Sequence, residues 1–584
     1  MHTTNARLAG VLLALISVVY GCSSSEAAPR DGAPATGAGG TIGTLAGGTT
    51  GAGGSIGTTG TGGTGNTDNP ATCAEAAAVR SYVGCEFWPT VTYNPVWSVF
   101  DFAAVVANAG DQPADVKVER AGMEVASATV APGSLAKLYL PWVTELKGGD
   151  FGADTTGSRP TTSVRLDKGA YRLTSSVPVI AWQFNPLEYK AQGGPPNKTW
   201  NCPYPPSIQN GNGHDCLSVS NDASLLLPTT AMTGHYRLFG KSGSQGAGGA
   251  LSRETPGGYA ITATKDGTSV DVYVTQDRRM MVTGPTGFVA GPGVAATPAG
   301  GKITFPMNAG DVVQLLGAAG PYYDQPDFDL SGSVVDAHDS PIQIISTIPI
   351  TDIPTPETAG NGYADHVEET VLPGESIGKH YFVAPPTTPN LTTVGHYVRF
   401  YGNVAGTVLT YPSGGQPPGA PTALNAGDVV EIGPINGSFE VTGDKAFAIG
   451  SFMMGGEKQD PTPGPDGAQG DPAFTLEVTV EQFRTKYIFL APDDYNVAVA
   501  DVILPGGANV KIDGADATGM REKIGTSNYF ILRQKLDAGT NHGEHVLESD
   551  QPVGLQVVGF GHATGIYYPG GLNLKLISPP PDIK

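Results

Sequence analysis

Gly374-Glu375-Ser376-Ile377-Gly378 has the spacing of a nucleophile elbow, in which a strained turn lifts a serine hydroxyl out of the backbone for attack on a carbonyl. That elbow needs a strand before it and a helix after it. Here Tyr381-Phe382-Val383, a strand-like run, follows, so a plain turn is expected. Asp324, Asp327 and Asp329 are the candidates for metal ligation, because carboxylate oxygens in a loop suit calcium. They lack the glycine of an EF-hand loop, and a solvated acidic loop is the expectation. His542, Glu544, His545 and His562 carry atoms that zinc favours, but His542 and His545 on a strand would point to opposite faces. Asp365, His366, Glu368 and Glu369 could serve as acid–base groups. On a short helix over Tyr363 to Leu372, Asp365 and Glu369 would share a face, and carboxylates near a helix start also simply favour its dipole. Trp88, Trp97, Trp142, Trp182 and Trp200 are all the tryptophans of the chain. Two of them, if exposed, could stack on a sugar. The apolar run Val179-Ile180-Ala181-Trp182 argues for the core instead. Gly60-Thr61-Gly62-Gly63-Thr64-Gly65 fits the dinucleotide fingerprint letter for letter, without the strand and helix that would make it one. No catalytic set and no cofactor are expected from these residues.

The elements that would carry such side chains are strands. Val116-Lys117-Val118-Glu119, Val270-Asp271-Val272-Tyr273-Val274, Leu476-Glu477-Val478-Thr479-Val480-Glu481 and Val510-Lys511-Ile512-Asp513 alternate apolar with polar residues, the mark of a sheet with one buried face. Asp266-Gly267, Asn436-Gly437 and Asp513-Gly514 supply turns. Gly (82) and Pro (48) are abundant and charged residues are only 15%, which disfavours long helices.

A repeat underlies the alternation. Asn308-Ala309-Gly310-Asp311-Val312-Val313 returns as Asn425-Ala426-Gly427-Asp428-Val429-Val430, and Leu536-Asp537-Ala538-Gly539-Thr540 is a weaker copy. A second signature opens an apolar strand at Val177-Pro178-Val179-Ile180, Ser340-Pro341-Ile342-Gln343, Lys445-Ala446-Phe447-Ala448 and Gln551-Pro552-Val553-Gly554. The steps between these are 163, 105 and 106 residues. A unit of roughly 105 residues is the size of a sandwich, about twice a propeller blade.

The chain of 584 residues carries a net charge of −21 with no basic block, which argues against nucleic acid. Arg7 and the apolar run Leu8 to Tyr20 read as a signal peptide, too short to span a bilayer. The run ends in Val19-Tyr20-Gly21-Cys22, similar to a bacterial lipobox, so Cys22 is the expected lipid anchor and sole membrane attachment; Tyr20 is an unusual occupant. Ser23 to Ala71 is Gly, Thr, Ala and Ser, too poor in large apolar side chains to fold, and is expected to be a disordered stalk. Cys73, Cys85, Cys202 and Cys216 suit two disulfides in an oxidising compartment. Local pairing, Cys73–Cys85 and Cys202–Cys216, is favoured among three connectivities.

A set of motifs carries a family resemblance. These are Ser81-Tyr82-Val83-Gly84-Cys85-Glu86-Phe87-Trp88, Gln183-Phe184-Asn185-Pro186, Ser220-Asn221-Asp222-Ala223-Ser224-Leu225-Leu226-Leu227-Pro228, Asp365-His366-Val367-Glu368-Glu369, Gly470-Asp471-Pro472, Val480-Glu481-Gln482-Phe483-Arg484 and Phe489-Leu490-Ala491-Pro492. From Ser81 to Leu576 the chain resembles the IgGFc-binding protein N-terminal domain family, bacterial lipoprotein members in particular. The resemblance implies an extracellular binding or matrix role and brings no catalytic residues with it. It also implies a cysteine just before the Asp-His motif and a partner for it, where this chain has Ala364 and Ile350. Gly470-Asp471-Pro472-Ala473 resembles the GDPH sequence at which some mucin-type domains cut themselves; Ala473 replaces the histidine, and no cleavage is expected.

The expected architecture is all-β, with tandem β-sandwich-like modules behind a disordered Gly/Thr-rich N-terminal stalk. The expected divisions are a signal peptide at 1–21, a linker at 22–72, β module 1 at 73–190, a disulfide segment with β module 2 at 191–350, module 3 at 351–456 and module 4 at 457–584. The expected function is a non-catalytic binding or adhesion lipoprotein of the cell envelope, at the outer membrane or cell surface, with an extracellular protein or glycan as partner. A glycan-binding or glycan-active protein and a structural spacer or matrix subunit are the alternatives.

Overall fold

The computed structural model describes residues 69–583 except 151–161, 202–215, 219, 242–256, 276–286, 318–328, 355–363, 465–466, 493 and 537–542. By contact the chain divides into residues 1–63 and 64–584. The signal peptide, Cys22 and nearly all of the expected stalk lie outside the described residues, as do Cys202, Asp324, Asp327 and His542.

The second unit is all-β and built four times on one plan. In the first sandwich, Gly84–Phe87, the first part of Arg172–Phe184, Ala114–Arg120 and Met123–Val130 make one antiparallel sheet. The second sheet joins Ala223–Leu225, the last part of Arg172–Phe184, Phe102–Asn108 and Ser134–Leu140. The long strand Arg172–Phe184 therefore serves both sheets. It pairs with Ala114–Arg120 up to Ser175 and with Phe102–Asn108 from Ile180. Pro178 sits at the crossing, where no ladder amide is needed.

The fourth sandwich repeats this. Glu544–Gly561 pairs with Arg484–Leu490 and Val510–Ile512 before Gly554, and with Val497–Pro505 and Thr564–Pro569 after it. In the middle sandwiches the long strand is broken in two, Val334–Asp336 then Ile342–Thr351, and Phe439–Gly443 then Phe447–Phe452. Pro341 and Ala446 lie in the breaks. The four recurrences of the second signature thus mark one event, the passage of the chain from one sheet to the other.

The Asn-Ala-Gly-Asp repeats are turns that deliver the chain into Val312–Leu316 and Val429–Ile435. In the first, the Asp311 carboxylate accepts from the Asn308 amide at 2.8 Å, and Gly310 takes a φ of +85°. In the second, Asp428 accepts from the Asn425 amide at 2.7 Å. Of the weaker copy only Leu536 is described. The turn that enters the matching strand of the fourth sandwich, Tyr529–Leu536, is Ile524 to Ser527, where the Ser527 amide donates to the Ile524 carbonyl.

The first three sandwiches take their last strand from beyond the boundaries at 190, 350 and 456, and the fourth takes its own from within 457–584. Ala223–Leu225, Asp365–Thr370, Phe474–Leu476 and Thr564–Pro569 close sandwiches one to four. Each of these strands packs on the next, and the fourth packs on the first, so the sandwiches stand in cyclic order around an axis of strands. Val164–Leu166 of the first segment also adds an edge strand to the second sandwich, pairing with Val312–Leu316. The ends meet: the Tyr82 amide donates to the Leu572 carbonyl at 3.2 Å and the Leu574 amide to the Arg80 carbonyl at 2.9 Å.

Asp365–Thr370 corrects the expected helix over Tyr363 to Leu372. It is a strand, buried at every position and paired with Ile342–Thr351. The Glu368 carboxylate is met by polar groups from the first sandwich and Asp365 by Thr564 of the fourth, a long-range supply that overrides local helix preference. One helix, Cys73–Val79, opens the body, its first turn held by a capping box between Thr72 and Glu75. A disulfide joins Cys73 to Cys85, and Cys216 is also disulfide-bonded. Among the described residues no helix is long and apolar enough to cross a membrane.

Candidate functional site

The strands at the axis bring four of the quoted motifs together in the interior. Glu368, fully buried, accepts from Gln183 at 2.9 Å, Thr92 at 2.8 Å, Ser224 at 3.2 Å and Asn185 at 3.3 Å. Its own amide donates to Asp222 at 2.7 Å. Asp365 accepts from the His366 amide at 2.7 Å and from Thr564 of the fourth sandwich at 3.3 Å. Burial raises the carboxyls of Asp222, Asp365, Glu369 and Asp471 well above the usual range, and neighbouring carboxylates add to the effect, Asp471 on Asp365 in particular. Neutral amides, hydroxyls and backbone N–H groups hold the cluster. For Asp222, Asp365, Glu369 and Asp471 this is the chemistry of carboxyls kept uncharged in a dry interior. At 0–2% exposure these groups meet no dissolved substrate in this conformation.

The other sequence candidates have structural partners. Asp329 forms an ion pair with Arg399, which also grips Glu431 at 2.6 Å. Glu544 and His545 are buried on one strand, with His545 Nδ1 2.8 Å or less from a carboxylate, at 2.7 Å from Asp513. His562 is buried as well. Among the described residues no three His, Cys, Asp or Glu side chains are placed to hold a metal. Trp88 and Trp182 are core. Trp142 and Trp200 are half-buried, with Lys147 and Lys198 standing over their rings at 5.3 and 4.7 Å.

The elbow-like segment leads to the surface. Gly374–Ser376 is a single 3-10 turn, and Ser376 is buried. Glu375, not the serine, faces an open cavity of about 480 Å³ where the first and second sandwiches meet the C-terminal tail. Its wall includes Arg80, Thr230, His235, Lys265, Asp339 and Leu576. Glu375 receives His235 Nδ1 at 2.8 Å and the Thr233 hydroxyl at 2.9 Å, while His235 Nε2 lies 3.7 Å from Asp336. Gly234 is required where this loop passes the next, since a Cβ there would stand 1.9 Å from the His338 carbonyl oxygen.

Arg80 is set by its backbone. It caps the opening helix at a φ of +49°, its amide donates to Ala76, and its carbonyl accepts from Leu574. Its Nε donates to the Thr230 carbonyl at 3.2 Å, leaving the two terminal nitrogens with no acidic partner among the described residues. Glu86, the other acid on that side, is taken by Arg172 at 2.6 Å. Arg80, His235 and Lys265 were not legible as a group. They lie 30 to 185 residues apart in sequence and share no spacing. In the sequence Glu375 is visible only as a neighbour of the serine.

Among curated proteins none matches this chain. Of solved structures, an anti-sigma factor domain-containing protein aligns over 59% of this chain and 83% of its own at 9% identity, with a TM-score of 0.11. The IgGFc binding protein family matches residues 222–559, a stretch that holds the axial strands of sandwiches one to three, the elbow-like turn and most of the cavity wall. That match spans more than half of the chain, and the protein belongs to the IgGFc binding protein family.

Proposed function

We propose that this protein is an extracellular binding protein, anchored to the cell envelope through Cys22, with its Gly-rich N-terminal segment as the tether of the four-sandwich body. Binding, without catalysis, is its activity, and the partner is an extracellular protein or glycan. The observation that carries this reading is the open cavity between the first two sandwiches, in a body of a binding-protein family. Its wall carries oriented polar groups, with Glu375 fixing His235 and the Thr230 carbonyl holding the Arg80 side chain. The groups most perturbed by burial are sealed inside and its serine candidate is covered, which favours recognition over bond-breaking. Support for the tether is the apolar run that ends at Cys22 and the Gly-rich stretch that follows.

Two measurements test this. Cys22→Ala should move the full-length chain from the membrane fraction to the soluble fraction with its thermal unfolding unchanged; continued membrane association after a carbonate wash would defeat the anchor. Arg80→Gln combined with His235→Ala should abolish capture of the partner retained from surface extracts by the wild-type chain. Equal capture by this folded double variant would place binding elsewhere.

A further inference from the structure

The charges left over in the cavity name its ligand. Glu86 is neutralised by Arg172, and Glu375 is committed to His235 and Thr233. What remains uncommitted among the described residues is the guanidinium fork of Arg80, the Lys265 ammonium and, on the acidic side, Asp339. A guanidinium held by its Nε, with both terminal nitrogens open, matches a carboxylate in the bidentate geometry that makes such pairs strong. Its backbone is bonded on both sides, to Ala76 and Leu574, and its Nε to the Thr230 carbonyl, so the base of the side chain and the fork are anchored at the wall before the ligand arrives.

The rest of the wall suits a ring of hydroxyl groups. Asp339 is an exposed carboxylate that accepts two hydrogen bonds readily, and Thr230 presents a hydroxyl that can donate or accept. Pro341 and the half-exposed Leu576 add apolar surface to the wall. A volume of about 480 Å³ holds one or two sugar units and lies within the range of small-molecule sites. We infer that the cavity binds an acidic sugar unit, its carboxylate on Arg80 with Lys265 nearby and its hydroxyls on Asp339 and Thr230. This rests on the cavity being the binding site proposed above, and it replaces an unspecified partner with a chemical class.

The test uses the full-length chain and three probes, oligoglucuronate, oligogalacturonate and sialyllactose, with a neutral gluco-oligosaccharide as control, read by calorimetry or ligand-observed NMR. At least one acidic probe should bind and weaken as salt is raised, and the neutral control should not bind. Arg80→Gln should weaken the acidic probe at least tenfold, and Lys265→Gln should weaken it less; if Arg80→Gln does not fold, Lys265→Gln alone must still weaken binding. Failure of all three acidic probes, or binding unchanged in the folded variants, overturns the inference. If the acidic probes fail while the cavity variants still abolish capture of the surface partner, the cavity stands as the binding site and the acidic-sugar assignment falls.

Discussion

Gln556 donates its side-chain amide to Glu477 at 2.6 Å, tying the long strand of the fourth sandwich to the residue that follows the axial strand of the third. Ser451 completes the grip at 2.5 Å. Burial pushes the Glu477 carboxyl up to about 8, from an ordinary 4.5. A carboxyl raised in the folded state stabilises the fold fully below its unfolded pKa, and that contribution is lost as pH rises through the folded value. Thermal stability should therefore decline between about pH 5 and pH 9, by on the order of a few kcal/mol from this group. Glu477→Gln should flatten the decline, and a variant with the wild-type pH profile would show that Glu477 is ionised throughout. Asp222, Asp365, Glu369 and Asp471 at the axis act with the same sign.

Glu431 has the opposite sign. Burial alone would raise it, but Lys241 at 2.6 Å and Arg399 at 2.6 Å hold it well below the usual range. Its contribution is present above its unfolded pKa and is lost as pH falls. Glu431→Gln leaves two buried cations short of a counter-charge and should cost about 3–5 kcal/mol in denaturant unfolding at pH 7. A loss under about 1 kcal/mol would mean that the network is solvated in the manner of a surface pair.

The two Asn-Ala-Gly-Asp turns should respond differently to removal of their aspartates. Asp311 is buried and accepts from the Lys168 amide of the first sandwich at 3.0 Å as well as from Asn308. Asp428 serves its own turn, through Asn425. Asp311→Ala strands two donors and should cost about 1–3 kcal/mol, more than Asp428→Ala. Equal midpoints in urea would show that the joint between sandwiches adds nothing to the turn.

Leu574, fully buried where the tail meets the first sandwich, tests the closure. Leu574→Ala should cost about 2–5 kcal/mol. Its half-exposed neighbour Leu576 should tolerate alanine within about 0.5 kcal/mol. Similar small effects for both, measured by thermal unfolding, would mean that the tail is not part of the cooperative unit.

Much of the plan was written in the sequence, because the repeat falls where geometry allows few residues. A strand that changes sheets drops ladder bonds at one point, so Pro178, Pro341 and Pro552 recur there. The turns need a left-handed glycine and a short carboxylate that caps the loop, hence Gly310 with Asp311 and Gly427 with Asp428. Four of the motifs that carried the family resemblance converge at the axis, through Asn185, Asp222, Asp365 and Asp471. What stayed hidden depends on long-range partners. The run from Asp365 to Thr370 reads as a helix start until Gln183, Asn185 and Ser224, well over a hundred residues earlier, are seen to satisfy Glu368. Arg80 is one more helix-end residue until Thr230 and Leu574 fix it in place.

The cyclic order of the sandwiches has a consequence for assembly. Each sandwich meets the next through unlike surfaces, the kind of contact that grows into an endless filament when the rotation does not close. Here four copies complete the circuit, and Ser81 and Asn573 pair across the seam between the fourth and the first. The copy number is thereby fixed within one chain, and a seam that fails to shut would offer its unmatched halves to another molecule.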